Sequence, residues 1–476
     1  MSFIKLNKLG SASSEVFTSD KIFKKIHRLA TKEEAEAVFR GINLLHKTIP
    51  TSVELPVVWT IKEEVLVSRG SRQKASLIQY EQVHLKPWIK ETLIGSAQLE
   101  VIGRLIIKQQ EILLKEELCL VDARPSNYWL GSCQPRLVDL ASIKLLSKHS
   151  LESFLADFLR HIIHPLLLEQ QLGLPVSSYF KAGLASINIR TTGLLKSYQS
   201  ISFLKEMGRQ FIVDRVSNLI SSASVDFISF LREEAALIGH EDKISTKKII
   251  QHGLHRIRRM DKLLTRICQN QHKSSSDWLN YNQVHCESYL QAKQEAVEKF
   301  LKESDQDTRV ADLGANLTCT KQQRVDLLID KDLTLCRKLW DLRGENAHVL
   351  QIDVAAALAS PESDEFKALN LGGVYEEALV LGLIHHLQID AGLATEAFYS
   401  GLYKLYKRIL VEFPSTDDPM VQLLIQKKGE EVKWSWTEQQ IKANKYFEVA
   451  YTKKLSKTRI IACLVRSPKK ETQERI

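Results

Sequence analysis

Short, nearly uninterrupted apolar runs alternate with amphipathic stretches in the C-terminal part of the chain, from about residue 307 to residue 465. Such runs are typical of parallel strands that are covered on both faces, and the stretches between them are typical of helices. The runs lie at 309–313, 327–330, 349–353, 378–387 and 408–413. Two further segments, 446–449 and 458–462, resemble a hairpin and predict an antiparallel edge. The pattern therefore predicts a Rossmann-type α/β sheet.

In the preceding part of the chain, apolar residues recur with other periods. Residues 1–147 alternate β-like runs with helical ones, and the clearest helix is 97–116, where apolar residues recur on one face. Residues 150–300 show three- and four-residue apolar steps almost throughout, which predicts helices that face a core. We predict a multidomain protein made of an α+β domain, a helical connector, a Rossmann-type domain and a polar tail. Their limits are 1–147, 148–300, 301–466 and 467–476.

Composition is that of a globular protein with more than one core. The chain has 476 residues, of which 44% are hydrophobic and 26% are charged. Its formal net charge of +9 is modest for this length. The densest basic cluster, 256–266, contains no interleaved aromatic residue. We interpret it as a solvated helix face and predict no nucleic-acid partner.

The cysteines and the N-terminus bear on the cellular compartment. Cysteines are scattered and form no C-x-x-C pair, which favours a reducing compartment and argues against a zinc site or a disulfide framework. The first residues lack the features of a signal peptide, and no uncharged apolar run approaches the roughly 18 residues of a membrane span. These features predict a cytoplasmic protein without a membrane span, and they leave the oligomeric state open.

Acidic residues end several of the predicted strands, which is where ligands bind in doubly wound sheets. Asp312 begins an Asp-x-Gly-x-Asn sequence with Gly314 and Asn316, and the glycine lets the backbone come close to a ligand. Asp330 ends the next strand, where an ionised carboxylate can accept hydrogen bonds from both ribose hydroxyls. Asp353 ends the strand after that, where an acid can accept a hydrogen bond from an adenine amino group. Together these residues predict a site for S-adenosylmethionine.

Each of these acids has a second interpretation, because Asp is also common as a helix N-cap or turn residue after a strand. Asp332 competes with Asp330 for the role at the ribose. An acidic turn that includes Asp417 and Asp418 follows the run 408–413. It either binds substrate or caps the next helix.

Two adjacent histidines, His385 and His386, end the run 378–387. A strand over that run would place both at the edge of the sheet where ligands bind. A neutral imidazole can remove a proton from a hydroxyl or an amine as it is methylated, so both are candidate catalytic residues. A structural role in the core is the alternative. Neighbouring side chains point in different directions and no Cys or carboxylate spacing supports them, so we predict no metal in this domain.

The segments 383–387, 411–413, 417–421 and 457–459 resemble those of the nodulation-type (NoeA-like) class I methyltransferases. The resemblance implies transfer of a methyl group from S-adenosylmethionine to an O or N nucleophile, without identifying the acceptor. The first motif of that family reads Asp-x-Gly-x-Asn-x-Gly, and Thr318 stands where the last glycine is expected. The Cβ of a threonine there would crowd the cofactor.

Asp122, Asn127 and Asp139 occur at a spacing similar to that in protein kinases and aminoglycoside phosphotransferases. The resemblance implies that Asp122 positions an attacking hydroxyl while Asn127 and Asp139 hold Mg²⁺. It also implies that Lys24 or Lys25 binds the phosphates of ATP.

Other parts of the kinase-like pattern are weaker. Glu34 or Glu36, on the predicted next helix, would pair with that lysine, and residues 10–17 would cover the phosphates with a single glycine. Ala141 or Ser142 replaces the glycine that usually follows the metal-binding Asp. A degenerate domain without phosphotransfer is therefore the alternative.

These observations predict an enzyme that methylates a small molecule or a saccharide with S-adenosylmethionine. Two alternatives stay open. One is a phosphotransferase that uses ATP and Mg²⁺ through the N-terminal domain. The other is a non-catalytic interaction protein built from two degenerate enzyme folds.

Overall fold

The computed structural model describes the protein in segments, and within 4–29 and 58–83 the description covers the backbone alone. The described residues are 4–5, 14–18, 22–29, 31–53, 55, 58–68, 71–83, 89–130, 135–183, 245–271, 286–316, 324–344, 347–428, 434, 436, 441–442 and 444–467. Thr318 and residues 10–13 of the predicted phosphate-covering segment lie outside them.

An antiparallel sheet forms the N-terminal part, and its strand order is β1-β2-β3-β5-β4. Its strands are β1 (Ile4–Lys5), β2 (Ser14–Thr18), β3 (Ile22–Leu29), β4 (Val58–Ser68) and β5 (Ser71–Val83). Helix α1 (Lys32–Thr48) lies between β3 and β4 in the chain. It begins after Thr31, whose hydroxyl accepts from the N–H of Glu34, while the Glu34 carboxylate accepts from the N–H of Thr31. This capping box fixes where the helix starts.

Helices follow this sheet. They are α2 (Ser96–Lys115), α3 (Lys148–Phe158), α4 (His164–Leu172), α5 (Val176–Lys181) and α6 (Thr246–Gln271). Two small antiparallel pairs lie between α2 and α3, namely β6 (Leu118–Leu120) with β9 (Ile143–Leu145) and β7 (Tyr128–Trp129) with β8 (Arg136–Leu137).

The predicted apolar stripe of α2 is buried, and α6 packs against this helix. Arg256, on α6, is 4% exposed, so the prediction that the whole 256–266 cluster is a solvated face is wrong for this residue. Its neighbours Arg258, Lys262 and Arg266 are exposed.

A seven-stranded sheet forms the C-terminal part, in the order β12-β11-β10-β13-β14-β16-β15. Its strands are β10 (Val310–Leu313), β11 (Val325–Asp330), β12 (His348–Gln351), β13 (Glu377–Val380), β14 (Arg408–Pro414), β15 (Phe447–Lys454) and β16 (Arg459–Arg466). The first five strands in the sheet run parallel, and β15 and β16 form an antiparallel edge. A mixed α/β fold with a mostly parallel, Rossmann-like sheet is thereby confirmed.

Helix α7 (Glu287–Lys302) precedes β10 in the chain. The helices between the strands of this sheet are α8 (Leu333–Leu342), α9 (Val354–Ala359), α10 (Asp364–Ala368), α11 (Thr395–Leu405) and α12 (Pro419–Lys428). The five parallel strands are buried on both faces, as their continuous apolar runs predict, whereas the edge strand β15 is largely half-buried or exposed.

The start of α2 contacts the edge of this sheet through buried polar groups. Gln98 Nε2 donates to the carbonyl of Val349 on β12 (2.8 Å), and Arg337 Nε on α8 donates to Ser96 Oγ (3.0 Å). The largest hydrophobic cluster also contains residues from both parts of the chain. The domain limits given above remain predictions.

Across the described residues, the structure contains no helix whose length and apolar character would let it cross a bilayer.

Candidate functional site

The C-terminal sheet changes its direction of winding between β10 and β13. These strands are parallel neighbours, but the chain leaves β10 towards β11 on one side and leaves β13 towards β14 on the other. Ligands bind in the crevice that such a switch creates outside the carboxyl ends of the strands. A pocket of about 70 Å³ lies there. Among the residues that line it are the predicted site residues Gly314, Asn316, Asp330, Asp353 and His386.

The turn after β10 requires a glycine. Gly314 has φ +73°, and a Cβ at this position would lie 2.8 Å from Leu383 Cδ1. The N–H groups of Gly314 and Ala315 both donate to the carbonyl of Ile329, at 2.8 and 2.9 Å. These two N–H groups of the turn therefore bond within the protein. The backbone of this turn can still come close to a ligand, because Gly314 has no side chain.

Asp330 ends β11 and lines the pocket. Burial raises the pKa of its carboxyl group to about 7, although the N–H of Asp332 donates to Oδ1 at 2.7 Å. Asp332 itself accepts from the N–H of Leu335 and caps α8. Asp332 is therefore a helix cap, whereas Asp330 lies at the pocket.

Asp353 lies both at the start of a helix and at the pocket. Its Oδ1 accepts from the N–H groups of Ala355 (3.0 Å) and Ala356 (3.2 Å), so it is the N-cap of α9. The same residue lines the pocket. Asp312, in contrast, lies within β10, is 2% exposed and is not among the residues that line the pocket. Its charge contributes to the raised pKa of Asp330.

The two histidines occupy different environments, and neither ends a strand. Strand β13 stops at Val380, because Gly382 adopts φ +65° and turns the chain. The prediction of a strand over 378–387 is therefore wrong beyond Val380. His386 lines the pocket, and its Nδ1 lies 2.8 Å from Asp390 Oδ2. Burial lowers the pKa of His386, against the raising effect of Asp390.

His385 is fully buried, with its ring centroid 4.2 Å from that of His386 and 6.4 Å from a ring of Trp434. Within the described part of the chain, neither of its ring nitrogens has a hydrogen-bond partner. Burial and the charges of neighbouring groups keep its pKa well below the ordinary value, so this histidine is neutral. His386 is therefore the member of the pair that can reach a ligand in the pocket.

A buried ionic cluster beside His385 was not expected from the sequence. Arg459 bonds to Glu412 (Nη1–Oε1 2.9 Å) and to Asp418 (Nε–Oδ2 2.7 Å), and Lys293 Nζ lies 3.0 Å from Glu412 Oε2. The Tyr289 hydroxyl donates to Glu412 at 2.6 Å. Burial raises the pKa of Glu412, but the two cations outweigh it and lower the pKa to about 2. Asp418 also accepts from a backbone N–H at the start of α12. The acidic turn therefore serves the fold as both cap and ion-pair partner.

The kinase-like residues of the N-terminal part lie close together. Asn127 Nδ2 donates to the carbonyl of Asp122 (2.9 Å), and the carbonyl of Asn127 accepts from Val138, which precedes Asp139. Burial raises the pKa of Asp122, against the opposite effect of Arg124, whose Nε lies 2.6 Å from Asp122 Oδ1.

The predicted lysine–glutamate pair lies partly outside the described residues. The side chains of Lys24 and Lys25 lie outside the described residues, and Glu34 contributes to the cap of α1. Lys144, which the sequence did not single out, lies near Glu34 and Asp139; burial lowers its pKa, and these two carboxylates oppose the change. In the described segments, no group of three or more His, Cys, Asp and Glu side chains is arranged to hold a metal ion. Mg²⁺ at Asn127 and Asp139 remains a prediction.

No protein-family model matches the chain, and no curated protein matches it. Among solved structures, the chain is similar to the crystal structure of monomeric WbdD, with 16% sequence identity and a TM-score of 0.20. The similarity covers 40% of this chain and 49% of that chain, so this chain spans about half the length of that structure. A similarity this weak shows neither a family nor a function. The resemblance to the nodulation-type methyltransferases rests on the sequence motifs alone.

Proposed function

We propose that the protein is a methyltransferase that binds S-adenosylmethionine at the switch point of the C-terminal sheet. The supporting observation is the pocket itself, which brings Gly314, Asp330, Asp353 and His386 together from separate loops. Its position is the one that ligands occupy in open α/β sheets. The acceptor is an O or N nucleophile on a small molecule or a saccharide.

The donor set fits an adenosyl ligand. Asp330 accepts the two ribose hydroxyls, for which an ionised carboxylate at a strand end is suited. Asp353 uses Oδ1 for its helix cap, so Oδ2 can accept the adenine amino group. The pocket of about 70 Å³ is smaller than the roughly 300 Å³ of a typical ligand site, but a groove of about 790 Å³ adjoins it.

His386 is the proposed general base. Nδ1 lies 2.8 Å from Asp390 Oδ2, and in the tautomer that donates this hydrogen bond Nε2 carries the lone pair that would accept a proton. Because its pKa lies below the ordinary value, the imidazole is neutral at pH 7 and can take a proton from the acceptor. The bound cofactor supplies an electrophilic methyl group, so the protein contributes mainly alignment of the nucleophile.

Calorimetric titration of the full-length protein with S-adenosylhomocysteine tests the cofactor site. We expect binding by the wild type and an affinity at least about tenfold lower in Asp330→Asn and in Asp353→Asn, because each loses a charged acceptor. Asn is a good N-cap, so Asp353→Asn keeps the cap of α9. Asp364→Asn, at a half-exposed site outside the pocket, is the matched control and keeps wild-type affinity. Absence of binding by the wild type would refute the proposal.

A second candidate function is phosphotransfer by the N-terminal part. The proximity of Asp122, Asn127 and Asp139 favours it. Titration with ATP in millimolar Mg²⁺ distinguishes it from a non-catalytic role. Magnesium-dependent binding that Asp139→Ala abolishes supports phosphotransfer, whereas failure of both ATP and S-adenosylhomocysteine to bind supports an interaction protein.

A further inference from the structure

A groove of about 790 Å³ continues the proposed cofactor pocket on the side of Asp353. We call it the Ser178 groove. One wall comes from the region of α4 and α5 within 173–181, and the other comes from the C-terminal sheet within 331–333 and 351–365. Lys331, Ile352 and Asp353 line both the pocket and the groove. A ligand that contacts Asp353 therefore has space beside it.

The hydrogen bonds of Asp353 limit how it can hold an amino group. Both bonds of the α9 cap go to Oδ1, from Ala355 and Ala356. Oδ2 can accept one N–H of an exocyclic adenine amino group. That group carries two hydrogens, and the bond to Asp353 uses only one of them. One substituent on the nitrogen is thus compatible with the bond, whereas two substituents remove the donor.

The chemistry of the groove favours a polar substituent. Its lining includes the hydroxyl groups of Ser178 and Ser360 and the side-chain amide of Gln351. Carboxylates line it as well, including Asp332, and Glu365 pairs there with a lysine of the opposite wall. A flexible chain that ends in an amine can hydrogen-bond to hydroxyl and carboxylate oxygens along its length and at its tip.

We propose that the site binds adenosyl ligands that carry a single polar substituent on the adenine amino nitrogen, with the substituent in the Ser178 groove. The inference rests on the proposed function, because it places the adenine against Asp353. It adds a ligand class that the pocket alone does not suggest. It also gives the helices that precede the C-terminal sheet a direct role, since α5 supplies one wall of the ligand site.

Calorimetry with three probes tests the proposal on the full-length wild type. The probes are S-adenosylhomocysteine, its N6-(6-aminohexyl) derivative and its N6,N6-dimethyl derivative. We expect the aminohexyl compound to bind within about threefold of the parent. We expect the dimethyl compound to bind at least about tenfold more weakly, because it cannot donate to Asp353.

Two groove-filling variants locate the substituent. Ser178→Trp fills the groove from the side of α5, and Ser360→Trp fills it from the opposite wall; Ser178→Ala is the control. We expect each Trp variant to weaken the aminohexyl compound at least about tenfold more than it weakens the parent compound. Retained binding of the parent compound also shows that a variant is folded, and either variant alone suffices.

The outcomes separate the two proposals. Binding of the parent compound together with failure of the aminohexyl compound on the wild type overturns the groove and leaves the methyltransferase proposal intact. Aminohexyl binding that neither folded Trp variant weakens also overturns it, because the substituent then lies elsewhere. If the parent compound itself does not bind, the cofactor site fails and the groove proposal fails with it.

Discussion

The carboxyl group of Asp330 titrates near neutral pH, because burial raises its pKa to about 7. In the proposed complex this group accepts hydroxyl hydrogens, so only its ionised form binds well. The ionised fraction is about one tenth at pH 6 and about nine tenths at pH 8. We therefore expect the affinity for S-adenosylhomocysteine to rise about tenfold between these values. Calorimetry at several pH values measures it.

Asp330→Asn is the control for this dependence. The amide does not titrate, so the variant binds weakly at every pH and its affinity shows no corresponding rise. At low pH the wild type approaches the variant, because a protonated carboxyl group resembles the amide in charge. A wild-type affinity that stays constant from pH 6 to pH 8 would show that Asp330 does not hold the ligand.

Other single residues show why sequence alone missed part of the site. Glu412 lies in an otherwise apolar run, which predicts a buried strand but gives no reason for a charge. Its partners Tyr289, Lys293 and Arg459 come from α7 and β16. Only the folded sheet brings these elements together. A buried acid inside an apolar run was the available signal, because such a charge requires a partner.

At the level of elements, the apolar runs predicted the parallel strands well, and the error in β13 has a local cause. The run 378–387 is mostly apolar, yet the strand ends at Val380. Gly382 adopts a left-handed conformation that periodicity does not reveal. Both histidines therefore lie in the helical turn after the strand. His386 nevertheless lines the pocket at the predicted edge of the sheet.

The turn after β10 leads to a prediction at the same level. Gly314→Ala introduces a Cβ at φ +73° and 2.8 Å from Leu383. A left-handed non-glycine residue costs about 1–2 kcal/mol, and the crowding adds to it. We expect the free energy of unfolding to fall by roughly 1–3 kcal/mol. Chemical denaturation measures this, and titration with S-adenosylhomocysteine shows whether the pocket also loses affinity.

Gly344→Ala is the matched control, since its Cβ would have no atom within 4 Å. It should leave stability nearly unchanged. Adding Leu383→Ala to Gly314→Ala removes the crowding but not the backbone strain, so it should restore ligand affinity more than stability. If Gly314→Ala and Gly344→Ala behave alike, the turn tolerates a side chain and the requirement for glycine is wrong.

For the molecule as a whole, periodicity indicated the mixed α/β sheet but not how the N-terminal part contacts it. The contact joins Ser96 and Gln98, at the start of α2, to Arg337 and Val349. These residues are far apart in sequence, and none belongs to a recognisable motif. Buried polar contacts of this kind depend on exact side-chain placement, which composition and spacing do not encode.

This contact supports a prediction about the stability of the whole chain. Arg337 is 4% exposed and Glu169, on α4, is 2% exposed. Burial raises the pKa of Glu169, and the charge of Arg337 is among the effects that oppose the rise. Arg337→Ala removes this cation and the bond to Ser96, so we expect a loss of about 3 kcal/mol in the free energy of unfolding. Lys338→Ala, at an exposed position on the same helix, should cost less than about 0.5 kcal/mol. Denaturation followed by circular dichroism compares the two, and equal midpoints would mean that the contact does not stabilise the joined structure.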